Sequence, residues 1–192
     1  DQAPMTNSIS TLRKRSLNAR RELSPDERQL ASEIICERVC DTHAFYANKN
    51  IACYLPMHDE VDTRAIIQRA WRANKRTFVP VLRGPAQMVF CEINAESELE
   101  QNHFGVWEPT RGFLIDPKNI DVVITPTVVF DDEHHRIGMG SGYYDRCFAH
   151  LRNRKHWVRP KMIGVAFECQ RVEKITPKPW DIPLYSVISE RD

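Results

Sequence analysis

The sequence has no long apolar run, no surplus of charge of one sign and no paired cysteines, and each lack excludes something. Its longest apolar stretches are a few residues, such as Val122-Val123-Ile124. A membrane-spanning helix needs about 20 apolar residues, so none is expected. Lys plus Arg is 27 against 26 for Asp plus Glu, a net charge of only +1. That balance speaks against a dedicated nucleic-acid binder, which carries a basic excess. It leaves room for a local cationic site. The six cysteines, at 36, 40, 53, 91, 147 and 169, form no Cys-x-x-Cys pair. A zinc site lacks its closely spaced ligands, and six reduced thiols in a cytoplasmic protein is the expected state. The first ten residues lack the charged-then-apolar order of a secretory leader. Met5 is read as the natural start, with residues 1–9 a flexible N-terminal extension.

What is present is an ordinary globular composition, 42% hydrophobic and 28% charged over 192 residues, which fits one domain over residues 1–192. Leu12 to Leu23 reads as a short basic helix. Ser24-Pro25-Asp26-Glu27 opens a second, with Ser24 and Glu27 as a capping box and Pro25 in the first turn. Leu30, Ile34, Ile35 and Val39 then recur at helical spacing. Asp62 or Thr63 caps a third, and a fourth is expected from the Tyr143-Tyr144 pair to Leu151. Ile51–Leu55, Thr77–Leu82, Met88–Ile93, Asp121–Thr125, Val128–Phe130 and Met162–Phe167 read as strands. Gly84-Pro85 turns between two of them, and Val187-Ile188 adds an edge strand after an irregular, proline-rich tail. Most of these strands are unbroken apolar runs, as strands covered on both faces must be. A mostly parallel sheet with helices on both sides follows. Its ligands would sit beyond the carboxyl ends of the strands.

The segment Arg136-Ile137-Gly138-Met139-Gly140-Ser141-Gly142-Tyr143-Tyr144-Asp145-Arg146 is the most informative. Three alternating glycines let the backbone approach a ligand closely, so that successive N–H groups can converge on an anion. It matches neither the Walker loop nor the dinucleotide fingerprint. A plain glycine turn is the competing reading; the flanking arginines and Asp145, a possible holder of phosphate-bound Mg²⁺, favour a phosphate cradle.

From Asp121 through Arg146 the chain resembles the signature region of 5-formyltetrahydrofolate cyclo-ligases. Tyr54 to Thr63 is similar to that family's early substrate-loop motif. Leu12-Arg13-Lys14 with Leu23 to Glu27 resembles its N-terminal opening. Gly105 to Pro109 and Trp180 to Leu184 resemble its middle and its end. The resemblance implies an ATP- and Mg²⁺-dependent closure of 5-formyltetrahydrofolate to 5,10-methenyltetrahydrofolate. It places ATP on Arg13 and on Arg136, Ile137, Gly138, Met139, Gly140, Ser141, Gly142, Tyr143 and Tyr144. Folate falls on Leu55, Met57, Glu60 and Tyr144, and the metal on Asp145 and Asp181. Leu55 and Met57 would pack on the pterin, and Glu60 would accept its guanidine-like N–H groups; on its own spacing Glu60 reads as a solvated loop acid. No nucleophile motif is needed, because both nucleophiles belong to the substrate. The chain departs from the family at Ile9, often a lysine, and at Met139 and Ser141, basic in some members.

Other features are assigned structural roles. One of Tyr143 and Tyr144 is expected in the core and the other at the site. Trp107 and Trp180 are read as packing residues near the site, with stacking on folate a second option for Trp107. His134-His135 is a turn rather than a metal site. The run Arg152, Arg154, Lys155, Arg159 and Lys161 is read as a solvated surface, the alternative being a hold on a glutamate tail. Two other function classes remain: a phosphosugar isomerase or CoA-transferase-like enzyme, which would not depend on ATP, and a non-catalytic nucleotide or folate sensor, which would lose Asp145 or Asp181. The expectation is a three-layer αβα fold, Rossmann-like, in a cytoplasmic monomer with small-molecule substrates and no nucleic-acid or membrane partner.

Overall fold

A computed structural model describes residues 8–57, 59–152 and 159–191. Helix α1 (Ile9–Glu22) starts earlier than its apolar spacing predicts, because the Ser8 hydroxyl accepts the Thr11 N–H and supplies a cap. Ile9 is therefore part of the folded unit and not of a flexible extension. Helix α2 (Pro25–Asp41) has the expected capping box: Ser24 Oγ accepts the Glu27 N–H, and the Glu27 carboxylate accepts the Ser24 N–H at 2.8 Å. There follow α3 (His43–Ala47), β1 (Asn50–Cys53), α4 (Arg64–Arg72), β2 (Arg76–Arg83), β3 (Gln87–Ile93), β4 (Leu99–Gln101), β5 (Trp107–Pro109) and β6 (Leu114–Ile115). The chain continues through β7 (Val122–Pro126), β8 (Val129–Phe130), β9 (Arg136–Ile137), α5 (Tyr143–Cys147), β10 (Lys161–Val165) and β11 (Ser186–Ile188).

Seven strands form one sheet in the order β11-β10-β7-β1-β2-β3-β6. The five from β11 to β2 are parallel. Strand β3 folds back antiparallel on β2, and β6 antiparallel on β3. Counted in chain order, the parallel strands run 2-1-3-4-5, so the direction of winding reverses between β1 and β7. Right-handed crossovers then place α4 on one face and α5 on the other. The apolar runs serve both faces. Ile51, Cys53, Val122 and Ile124 meet Ile35, Phe45 and Ile66 on the α2–α4 side. Ala52, Val123 and Met162 point the opposite way, to Phe78, Phe90 and Phe148. A fully buried side chain of this size contributes about 1.5–3 kcal/mol, so both layers are held chiefly by these alternating residues. Helix α1 and the small β8–β9 hairpin share a third, smaller core around Val128, Val129 and Ile137.

The helix expected to run from Tyr143 to Leu151 is broken. It ends at Cys147, and a 3-10 turn covers Ala149–Leu151. Phe148, fully buried beside Phe90 and Tyr144, sits at the break. Among the described residues no helix is long and apolar enough to cross a membrane.

Candidate functional site

Reversal of winding opens a crevice where the chains leaving β1 and β7 part, the place where open α/β sheets bind ligands. A cavity of about 480 Å³ lies there. Its walls include the loop after β1 (Leu55, Met57, Glu60), the segment after β7 (Pro126 to Val128) and the whole run Arg136 to Arg146. Arg13 of α1 and Asp181 of the tail complete it. All the residues that the sequence assigns to nucleotide, folate and metal thus line a single space. Ile9 lines it too, an apolar contact at the position where a cation was expected.

The glycine run is an open loop, with Gly140 at φ +105° and Gly142 at φ +70°. Gly142 ends the loop as the residue before α5. With only five residues, α5 offers much less dipole than the expected longer helix, so charge must come from side chains. Arg13 Nε donates to the Gly138 carbonyl at 2.8 Å, and its guanidinium lies beside Gly140. Arg136 is almost fully buried; its Nη2 is 3.6 Å from Asp145 Oδ1, its guanidinium lies over the Tyr144 ring, and its Nε has no protein partner. A buried unpartnered donor in a cavity wall suits an anion.

Asp145 Oδ1 accepts the Ile182 N–H at 2.9 Å, and Asp181 Oδ2 accepts the Lys178 N–H at 2.8 Å. The first contact docks the tail beside α5 and so brings both carboxylates to one cavity. Among the described residues there is no cluster of three or more acidic, His or Cys side chains able to cage a metal. Two carboxylates beside a glycine loop nonetheless fit Mg²⁺, which uses one or two protein carboxylates and takes its other ligands from phosphates and water.

Glu60 is half-buried, and its Oε2 accepts the Met57 N–H at 2.9 Å. Burial pushes its carboxyl above the usual range, against the pull of that hydrogen bond and of the Arg20 charge. A second cavity, of about 870 Å³, shares Leu55, Met57 and Glu60 and extends to α2 and to the β4–β5 hairpin.

Several expectations change here. Tyr143 and Tyr144 both line the cavity and neither is wholly core: the Tyr143 hydroxyl donates to the Gly84 carbonyl, and Tyr144 stacks on Phe148. Trp107 and Trp180 are about half exposed, not packed. They stand on cavity rims, Trp107 at the larger space and Trp180 at the smaller. The basic run is not one surface. Arg152 enters the site, its Nε donating to the Trp180 carbonyl and its Nη2 to the Asp145 carbonyl. Arg159 instead pairs with Asp121 at the opposite end of the sheet, and Lys161 lies over the Tyr185 ring. Arg154 and Lys155 lie outside the described residues. Lys178 is a further lining cation that the sequence reading left in the irregular tail. Helical spacing gives no signal for Arg152, because the helix that carries Asp145 ends at Cys147 and a 3-10 turn leads into Arg152.

His134-His135 has the structural role expected. Asp131, buried, accepts N–H bonds from Glu133, His135 and Ile175 and meets the His135 ring at 3.1 Å. Burial pushes the Asp131 carboxyl up, but the bonds from Ile175 and His135 outweigh it and hold it below the usual range. This carboxylate fixes the hairpin that leads into the glycine loop and the start of the tail that carries Asp181.

The comparisons agree with one another. The 5-formyltetrahydrofolate cyclo-ligase family matches residues 5–190. A 5-formyltetrahydrofolate cyclo-ligase of Escherichia coli is 34% identical over 174 residues, 88% of this chain and 93% of that protein. One from Haemophilus influenzae is 35% identical over 144 residues, 73% of this chain and 75% of its own length. The solved structure of Aquifex aeolicus 5,10-methenyltetrahydrofolate synthetase superposes with a TM-score of 0.83 at 30% identity, covering 96% of this chain and 90% of that one. The chain belongs to the 5-formyltetrahydrofolate cyclo-ligase family.

Proposed function

We propose that this enzyme converts 5-formyltetrahydrofolate to 5,10-methenyltetrahydrofolate at the expense of ATP, releasing ADP and phosphate. The observation that carries this reading is the single cavity in which a glycine loop, four arginines, two aspartates and the Leu55–Glu60 loop meet. The N5-formyl oxygen is a poor leaving group. It attacks the γ-phosphorus, the bond to ADP breaks, and the oxygen becomes a phosphate ester on an iminium carbon. N10 of the same folate then attacks that carbon, loses its proton, and the C–O bond breaks to release phosphate.

The chain's part is alignment and charge stabilisation. The amides of Gly138 to Gly142 and the guanidiniums of Arg13 and Arg136 hold the phosphates, with Arg152 and Lys178 as further cations at the wall. Asp145 and Asp181 would hold Mg²⁺, which when bound neutralises phosphate charge. Glu60 accepts the pterin N–H groups, while Leu55, Met57 and Tyr144 pack on its ring. Such groups cost no reorganisation during the reaction, which is why fixed donors stabilise transition states well. The six free thiols are consistent with work in the cytoplasm, and one chain supplies the whole site, as a monomer would.

The test is to follow methenyl-folate absorbance with purified protein, with and without ATP and Mg²⁺. Product only when all components are present supports the reading. Product without ATP would favour an isomerase-like or transferase-like chemistry, and binding without product would favour a sensor.

A further inference from the structure

One face of α1 carries Arg13, Ser16 and Arg20 at i, i+3 and i+7, a polar stripe along a single side of the helix. Each reaches a different part of the site. Arg13 Nε bonds the Gly138 carbonyl in the glycine loop at 2.8 Å. Ser16 Oγ, buried, donates to the Val128 carbonyl after β7 at 2.5 Å. Arg20 Nη2 donates to Asp59 Oδ1 in the loop after β1 at 3.0 Å. The Arg20 side chain is only 6% exposed, against 65% for its neighbour Arg21, whose Nε is 3.6 Å from the other Asp59 oxygen. An arginine buried this deeply is costly unless its charge is used, and Asp59 is the carboxylate next to Glu60.

We propose that Arg20 is a positioning residue for the folate subsite: by gripping Asp59 it holds the loop after β1 so that Glu60 presents its carboxylate to the substrate. The proposal rests on the reading of Glu60 as the folate contact. Arg20 does not touch the substrate; it acts through Asp59 and by its charge. Among the described residues, the titratable and charged groups that act on Glu60 are Arg20 from α1, Asp59 in its own loop, Tyr54 at the end of β1 and Tyr144 from α5. Arg20 is the cation among them, so its removal should make Glu60 easier to protonate. Its grip is single-point: only Nη2 bonds Asp59, and the buried Nε has no protein partner. A lysine, also a single-point donor, should therefore restore most of the effect.

The experiment compares Arg20→Met, Arg20→Lys, Asp59→Asn and the Met/Asn double variant, each checked for melting temperature. KM for folate, KM for ATP and kcat are measured between pH 5 and 8, and affinity for 5-formyltetrahydrofolate without ATP is measured by calorimetry. The expected result for Arg20→Met is a folate KM raised about tenfold, in the range of one lost charge-assisted hydrogen bond. KM for ATP and kcat should stay within about twofold, and the acid limb of the folate KM profile should move to higher pH. Arg20→Lys should recover most of the loss, and the double variant should be no worse than either single one. An unchanged folate KM, or folate KM, ATP KM and kcat all worsening together, overturns the positioning role. If the wild type binds folate but makes no methenyl product, the functional reading fails, while the calorimetric comparison still decides the role of Arg20. If the wild type binds no folate, both fall.

Discussion

Replacing Asp145 by asparagine separates the proposed metal-holding role of its carboxylate from its part in the fold. Its Oδ1 accepts the Ile182 N–H at 2.9 Å and lies 3.6 Å from Arg136 Nη2. Asparagine keeps an oxygen for Ile182 but carries no charge. The structural cost is then the charge pairing with Arg136, a long but largely buried contact whose loss costs about 1–3 kcal/mol. In a chain of this length each kcal/mol lowers the melting temperature by roughly 2–4 °C. The catalytic cost is separate. A carboxylate that anchors phosphate-bound Mg²⁺ should be worth at least a hundredfold in turnover, about 2.7 kcal/mol of transition-state stabilisation. The assay is the initial rate of methenyl-folate formation at saturating folate and ATP, across a Mg²⁺ titration, well below the melting temperature. The variant should lose about a hundredfold and need more Mg²⁺ for half-maximal rate. Turnover within a few-fold of wild type, in a folded protein, would remove Asp145 from the metal site.

Gly140→Val places a β-branched side chain at φ +105° beside the Arg13 guanidinium. ATP affinity by calorimetry should fall at least about tenfold, beyond the roughly 1–3 kcal/mol of backbone strain that the melting temperature registers; unchanged affinity would make the loop a simple turn. Glu60→Gln should raise the folate KM and leave the ATP KM alone. In the wild type, the raised Glu60 carboxyl gains its proton at a higher pH than an ordinary glutamate. Folate KM should therefore climb on acidification before an ordinary carboxylate would titrate, and a profile flat to pH 4 would contradict this. Asp131→Ala strips acceptors from three N–H groups and should lower stability by about 2–4 kcal/mol in a denaturant melt. Because the folded carboxyl is held low, its stabilisation is present above the unfolded value and is lost as pH falls through the folded one. Wild type should therefore lose stability below about pH 4 more steeply than the alanine variant.

The sequence made the glycine loop, Asp145 and the Leu55–Glu60 loop legible because each is a short contiguous stretch whose residue types already suit a ligand. The parallel sheet was legible for a similar reason, as Val122 to Ile124 cannot alternate between water and core. What was hidden depends on contacts distant in sequence. Arg152 looked like one of five surface cations until the chain tightened at Phe148 and turned it toward Trp180. Trp107 and Trp180 read as packing residues near the site, yet both are about half exposed on cavity rims, which no local pattern marks. Ile9 reads as part of a flexible extension because a Ser8 cap is indistinguishable, in sequence, from any serine in a polar tail.

The tail that carries Asp181 is docked by two carboxylates laid down earlier in the chain, Asp131 and Asp145, each accepting one of its backbone N–H groups. During synthesis the sheet from β1 to β7, the glycine loop and Glu60 can all assemble before the tail emerges. Such a nascent chain has one member of the carboxylate pair and two acceptors waiting for donors. A product halted ahead of Ile175 would expose the edge of β10 that β11 covers and leave Asp131 short of one partner. Interrupted translation should therefore yield a poorly closed protein open to proteolysis.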